Sequence, residues 1–313
     1  MHLSLSPTPI DETLAFDLPA SVDEALALDL PLPESDRELW ELLATLAAHD
    51  VGVARAVEPH LDAIGILRQA GIDPIPAGSW GVFAAEGGDE PLSFVDGTLN
   101  GVKPWCSLAG SLDHALVTAH LPDGGRGLFS VDLRQPGIEV LDGAWVARGL
   151  TEIPSGPVRF TAVAAQQVGE PGWYLSRPGF ARGGIAVAAC WYGGAVGIAR
   201  SVFEATARPN PYLLAHLGAI DLALGSARRA LREAVAFEGD PRLLAKRTRG
   251  TVARAVEEVI ARAGHALGPA PLALDARYAK RVADLQLYVR QHHAEKDDAS
   301  LAEALVNGGS QPW

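Results

Sequence analysis

Between Asp36 and Ala70, in "DRELWELLATLAAHDVGVARAVEPHLDAIGILRQA", apolar residues recur at helical spacing and Gly71 follows as a C-cap. This predicts a small helical region. The stretch before it is rich in Pro, Asp and Leu and predicts a surface arm with a short helix at "SVDEALAL". From Trp80 to about Val168 the texture changes. The runs "HALVTAHL", "GLFSVDL", "IEVLDG" and "GPVRFTAV" are rich in β-branched and aromatic residues, and Gly, Pro and Asp separate them at intervals of roughly ten residues, as in an antiparallel barrel or sandwich. After "VGEPGWYLSRPGF" it changes again. "GGIAVAACWYGGAVGIARSVFEATA" is apolar nearly all round and rich in small residues, which suits a helix at the centre of a bundle. Three more helices are predicted, from Pro211 to Phe237, Asp240 to Ala266 and Asp275 to about Glu295, with "RPNP", "EGDP" and "GPAP" marking the breaks. Long helices joined by short loops make an antiparallel four-helix bundle. The expected fold class is therefore α+β and multidomain: an N-terminal arm and short helical region over residues 1–78, a central antiparallel β-barrel or sandwich over 79–172, and a C-terminal four-helix bundle over 173–313.

Composition agrees with a globular chain: 313 residues, 48% apolar and 20% charged, long enough for two or three packed units. The net charge of −12 argues against nucleic acid as a partner, because duplex binding needs a basic surface to displace counterions. The charge is uneven. Residues 1–100 hold 18 Asp and Glu against three Arg and no Lys, whereas 200–290 is dense in Arg. Singly these arginines read as solvated helix faces paired with glutamates; as a group they suit an anionic cofactor or the acidic N-terminal part. No apolar run reaches the 18 or so uncharged residues that cross a bilayer, and "MHLSLSPTPIDETLAFDLP" lacks a signal-peptide pattern, so a cytoplasmic protein with no membrane partner is expected. Cys106 and Cys190 make no disulfide framework and read as reduced thiols.

The stretch "LNGVKPWCSLAG" sets Trp105, Cys106 and Ser107 side by side. On a strand, Trp105 and Ser107 share one face and Cys106 takes the other. A tryptophan packed in a barrel core with an incidental serine is the plain alternative. Cys106 has no histidine or basic residue clearly paired with it and reads as a small core residue.

With a helical start, a β middle and a helical end, these residues resemble the acyl-CoA dehydrogenase superfamily of flavoproteins. "LNGVKPWCSLAG" is similar to its "NG-K-W-I-T/S-NG" strand, "FSVDLRQPGIEV" with "GLTEIPSGPVRFTAVAA" to its "F-V--D--PGV" and "G-R-S---V-F--V" strands, and "AVGIARSVFEA" to the opening of its last domain. The likeness runs over roughly residues 80 to 295. It implies bound FAD, an acyl-CoA or related small-molecule substrate of the kind met in fatty acid metabolism, and a homodimer or tetramer that shares cofactors between subunits. By the same resemblance Trp105 packs beside the flavin ring and Ser107 donates toward its N5. Arg208 of "ARPNPYLLAHLGA" would reach the cofactor pyrophosphate of a neighbouring subunit, and Gly264 and Gly268 of "RAGHALGPAP" stand for the family's glycine pair.

Several departures accompany the resemblance. Ala85 stands where a flavin-contacting threonine is usual and only Glu86 keeps register, in "AAEGGDEPLSF". The N-terminal domain is shorter than the family norm. Dehydrogenation of a thioester needs a carboxylate to remove the α-proton. One of the family's seats for that glutamate falls near Val289 or Arg290, the other in "ARGGIAVAACWYGG", and no Asp or Glu occurs between Glu170 and Glu204. The candidates for a displaced base are Glu86, His292 and His293. "ADLQLYVRQHH" also resembles the "R-D------H" ending of flavin-dependent monooxygenases of the same superfamily; consecutive histidines at a helix end equally well cap its carbonyls. His114, His216 and His265 lack metal-ligand spacing, and no metal is expected. Three readings stay open: an FAD-dependent dehydrogenase of acyl thioesters, a flavin-dependent monooxygenase using a C-terminal histidine, and a non-catalytic subunit that pairs with a related dehydrogenase.

Overall fold

A computed structural model describes residues 3–5, 18–28, 30–141, 143–309 and 311. The N-terminal region comprises α1 (Val22–Ala27), α2 (Asp36–His49) and α3 (Val51–Gln69). The helical pattern from Asp36 to Ala70 is two helices, because Asp50 adopts an extended backbone and its carboxylate takes the N–H groups of Gly52 and Val53 as the N-cap of α3. Ser35 and Glu38 close a capping box at the start of α2.

The middle region holds β1 (Trp80–Phe83), β2 (Ser93–Val95), β3 (Thr98–Lys103), β4 (His114–His120), β5 (Arg126–Asp132), β6 (Ile138–Val140), β7 (Val158–Ala164) and β8 (Gln166–Gln167). They form one curled sheet in the order β6-β7-β3-β2-β4-β5-β8, with β1 also on β4. An all-antiparallel sheet was expected. The sheet is mixed, since β1 and β2 each run parallel to β4 while the remaining pairs are antiparallel.

A short α4 (Trp173–Ser176) leads into the bundle of α5 (Gly179–Ala205), α6 (Pro211–Ala236), α7 (Arg242–Leu267) and α9 (Ala276–Tyr288), with α8 (Pro269–Leu274) in the last link and α10 (Glu295–Asn307) after a single 3-10 turn at Val289–Gln291. Asn210 and Asp275 cap α6 and α9 with their side chains, and Pro211 opens α6, where its missing N–H costs nothing. Helix α5 is long and apolar enough to cross a membrane, yet most of it is buried inside the protein, with Ala188, Ala189, Cys190, Trp191, Ala195 and Ile198 fully enclosed. It packs backbone to backbone: a Cβ on Gly193 would lie 2.0 Å from the carbonyl oxygen of Ala44, so no other residue permits α2 to approach α5 so closely.

One ionic cluster ties the three regions together. Lys280 of α9 lies 3.1 Å from Asp50 at the head of α3, 2.6 Å from Glu152 in the loop after β6 and 2.6 Å from Asp284 on its own helix. Asp284 also accepts the Leu150 N–H at 2.6 Å. Asp50, Glu152 and Asp284 are close enough to hold a cation, and the ammonium of Lys280 meets all three. Burial pulls the lysine pKa down, but hydrogen bonds to Asp284 and Glu152 more than reverse this and hold it above the ordinary value.

Lys280→Met leaves three carboxylates facing one another. Breaking a fully buried pair costs about 3–5 kcal/mol, and because Lys280 is 38% exposed the loss is expected nearer about 2–3 kcal/mol. Urea unfolding will show this as a lower midpoint at pH 7, partly recovered near pH 4 as the crowded carboxylates protonate; an unchanged midpoint would refute the clasp.

Candidate active site

The inner face of α3 carries Arg55, Glu58 and Asp62, spaced three and four residues apart so that all project the same way from an otherwise apolar helix. Each meets a different region. The Arg55 guanidinium donates to Ser107 Oγ at 2.8 Å and lies over the Tyr288 ring, 5.7 Å from its centroid. Its Nη1 is buried and has no hydrogen-bond partner. Asp62 accepts from Arg177 Nη2 at 3.3 Å, and Arg177 also donates to Gln69 and covers the Tyr174 ring. Burial raises the Asp62 pKa despite that arginine.

Glu58 stands between them with its carboxyl in no hydrogen bond or ion pair among the described residues. It is 8% exposed and lines a cavity of about 520 Å³. Burial pushes its pKa up to about 7, the nearby Asp62 adds to the rise, and Arg55 and Arg249 offset only part of it. The cavity is walled by Tyr174 and Leu175 of α4, Phe180 and Val187 near the start of α5, Lys246 and Arg249 of α7, and His292, His293 and Asp297. Arg249 is fixed by donating to the carbonyls of Gly184 and Gln291 at 2.7 and 3.2 Å, with its guanidinium 4.7 Å from the Trp191 ring centroid. The chamber thus joins apolar walls to many convergent charged groups, a more polar version of the usual small-molecule site.

His292 and His293 enter this chamber. His292 Nδ1 accepts the Ala294 N–H at 3.2 Å, so the neutral ring carries its proton on Nε2, which lies 3.8 Å from Asp297. Burial lowers its pKa, Asp297 opposes this and Arg249 assists it, leaving the ring neutral at pH 7. The acceptor nitrogen is therefore already engaged. His293 lies at the rim, 63% exposed, with Nδ1 3.6 Å from Asp297. The seat near Val289 and Arg290 holds no carboxylate: Val289 is buried and Arg290 pairs with Glu257 at the surface.

The structure does not bring Glu86 to the histidines. It accepts from Lys103 Nζ at 2.8 Å and Thr118 Oγ1 at 2.9 Å within the β region, with His120 and Arg126 nearby. Burial alone would raise its pKa, but these donors hold it below the ordinary value, and its evident work is to neutralise Lys103, which is 1% exposed.

Residues 105–107 differ from the expected strand. β3 stops at Lys103 and Trp105 adopts a left-handed backbone with φ 59°, so the alternation of faces ends there. Trp105 turns outward, 63% exposed, while Cys106 and Ser107 are both buried. Burial lifts the Cys106 thiol far above its usual range, as expected of a packing residue. Ser155 Oγ lies 2.8 Å from Ser107 Oγ and donates to the Ile153 carbonyl, which leaves Ser107 to donate to Ser155 while it accepts from Arg55. The gap beside Ser107 measures only about 10 Å³.

Arg208, Gly264 and Gly268 occupy the far end of the bundle. The Arg249 to Gly184 bond sets the N-termini of α5 and α7 together, and each helix runs about 40 Å from there, so Arg208 just past α5 and the two glycines at the end of α7 lie away from the cavity. Both glycines border open space, and Gly268 has a positive φ of 67°. Arg55, Glu58 and Asp62 are not among the site residues expected from the sequence, although three charges spaced by three and four on a largely apolar helix are a signal for them. Arg177 and Arg249 leave none, since their hydrogen-bond partners lie more than 40 residues away along the chain.

No family model matches this chain, and no curated protein matches it by sequence. Its backbone does match solved structures. FMN-bound TdsC from Paenibacillus sp. A11-2, a dibenzothiophene monooxygenase, superposes with a TM-score of 0.75 over 88% of this chain and 84% of that one, at 17% identity. Butyryl-CoA dehydrogenase from Megasphaera elsdenii gives 0.76 over 87% and 82%, at 17% identity. A nitrososynthase from Micromonospora carbonacea var. africana gives 0.72 over 87% and 81%, again at 17%. The N-terminal helices, curled mixed sheet and C-terminal bundle of this protein together form an acyl-CoA dehydrogenase-like fold.

Proposed function

We propose that this protein is a flavin-dependent oxidoreductase that holds its substrate in the 520 Å³ chamber, with Glu58 as the proton acceptor. Glu58 carries the reading: a carboxyl that is enclosed, unbonded, open to a cavity and poised near pH 7 is what proton abstraction at neutral pH requires. It stands on α3, outside both seats that the sequence resemblance offers. In the first reading the substrate is an acyl thioester undergoing α,β-dehydrogenation and the cofactor is FAD. Glu58 takes the α-proton, while Arg249 and Arg177 stabilise negative charge that develops beside it.

The residues at 105–107 fit a flavin in part. Trp105 offers an uncovered indole as an aromatic wall, and a bound flavin would supply hydride-accepting chemistry. Ser107 does not fit as a donor to the ring, because its proton goes to Ser155 and Arg55 closes the space beside it. A homodimer or tetramer would bring Arg208, Gly264 and Gly268 of one copy toward the cofactor of another, as the resemblance implies.

His293 at the rim favours a second reading, monooxygenation of a small aromatic substrate with FMN or FAD, as the likeness to dibenzothiophene monooxygenase TdsC suggests. The engaged Ser107 favours a third, a non-catalytic subunit pairing with a related dehydrogenase.

Titrating the purified protein with FAD and with FMN separates these readings. Saturable binding of one flavin per chain is expected, weakened about tenfold or more by Trp105→Ala, which corresponds to about 1.4 kcal/mol. Anaerobic bleaching by acyl thioesters selects the dehydrogenase, and oxygen-dependent product from reduced flavin selects the monooxygenase. Failure to retain either flavin, together with no oxygen-dependent product from reduced flavin, removes the oxidoreductase reading and leaves the third.

Stability tests Glu58 without any substrate. Its folded pKa of about 7 lies above the ordinary 4.5, so its contribution is fully present below pH 4.5 and is lost as pH rises through 7. That gap is worth up to about 3 kcal/mol. Glu58→Gln is therefore expected to match the wild type near pH 4 and to be the more stable protein at pH 8.5 by urea unfolding. Equal stability at both pH values would contradict the assignment.

A further inference from the structure

A second cavity, of about 350 Å³, opens where the end of α2 meets the last turns of α5 and the start of α9. It shares no lining residue with the chamber of Glu58. Three arginines converge on it: Arg200 from α5, and Arg277 and Arg281 from α9. Ser201 and Tyr278 add hydroxyls and His49 an imidazole, while the Thr45 hydroxyl in the wall is engaged by the Glu41 carbonyl and the Leu3 N–H. Against the arginines stand two carboxylates, Glu204 and Asp275. Asp275 already caps α9 by accepting the Tyr278 N–H at 3.0 Å.

The arginines differ in how they are held. Arg281 donates to the carbonyls of Gly197 and His49 at 3.2 and 3.3 Å, which fixes its guanidinium at the C-terminal end of α2. Arg200 and Arg277 form no ion pair or side-chain hydrogen bond among the described residues. Both nevertheless act on Arg281: burial lowers its pKa first, Arg277 adds to that, and Arg200 does so again after a partial correction by Asp50. Arg277 and Arg281 likewise help burial to depress His49. Like charges gathered around a polar hollow, with two of the three unpaired among the described residues, leave a positive potential that an anion would relieve.

We propose that this cavity is a binding site for a phosphate-bearing small molecule, its phosphoryl oxygens taken by Arg200, Arg277 and Arg281. A phosphate presents three oxygens to three guanidinium forks arriving from two helices, whereas one carboxylate accommodates two forks at most. The volume exceeds that of a bare phosphate and leaves room for an organic body among Thr45, Ser201 and Tyr278. The site shares no lining residue with the chamber of Glu58.

Inorganic pyrophosphate is the probe, with thermal unfolding and calorimetry of the whole chain as readouts, against sodium chloride at matched ionic strength. Saturable stabilisation and binding of one pyrophosphate per chain are expected. Arg200→Gln and Arg277→Gln, which remove no side-chain hydrogen bond or ion pair among the described residues, weaken that binding at least tenfold each. Glu204→Gln strengthens it by removing a like charge from the rim, and Glu58→Gln leaves it unchanged. Stabilisation that chloride reproduces at equal ionic strength overturns the site. So does binding that survives both arginine substitutions, or that is lost in Glu58→Gln.

Discussion

A charged stripe on a buried helix face is tolerable only if each charge finds a partner, and α3 brings Arg55, Glu58 and Asp62 into the interior on one such face. Arg55 settles between Ser107 of the β region and the Tyr288 ring of the bundle. Asp62 settles on Arg177, just before α5. Asp50, capping the same helix, faces Lys280. The N-terminal region, the sheet and the bundle are thus fixed to one another through polar groups of α3 as well as by the apolar core. The third member of the stripe, Glu58, forms no hydrogen bond or ion pair among the described residues, and it meets the cost of enclosure by holding its proton, facing a chamber of about 520 Å³.

Chemistry follows from that asymmetry. Two cations lie close enough to favour an ionised Glu58, yet enclosure and Asp62 outweigh them, so the carboxyl titrates near neutrality. Two of the three groups expected in that role are committed elsewhere, Glu86 to Lys103 and His292 Nδ1 to a backbone N–H, and His293 stays at the exposed rim. Arg249 is held by two carbonyls and faces the chamber without reorganising, as electrostatic stabilisation of a developing anion requires.

The architecture was legible because it rests on periodicity. The four bundle helices appear within a few residues of their expected limits, except that α9 ends at Tyr288 and hands over to a 3-10 turn before the histidines. Parallel pairing of β1 and β2 with β4 was not legible, since strand texture does not reveal which neighbour a strand selects. The reading of Trp105 and Ser107 as one face of a strand assumed that the strand continues; the left-handed backbone at Trp105 ends it, and a single dihedral of that kind leaves little trace in the sequence. The seats near Val289 or Arg290 and in "ARGGIAVAACWYGG" hold no carboxylate, and Glu58, which faces the chamber, comes from the N-terminal helix. Its spacing from Arg55 and Asp62 is plain in the sequence, but its burial depends on α5 and α7, more than 100 residues further along.

The central claim is the protonation of one side chain, and infrared titration of glutamate-labelled protein measures it directly. The carbonyl band of a protonated, enclosed carboxyl should persist above the range of ordinary carboxylic acids, disappear as pH rises through about 7, and be absent from Glu58→Gln. A spectrum in which all labelled carboxyls are already ionised at pH 6, identical in wild type and variant, would contradict it.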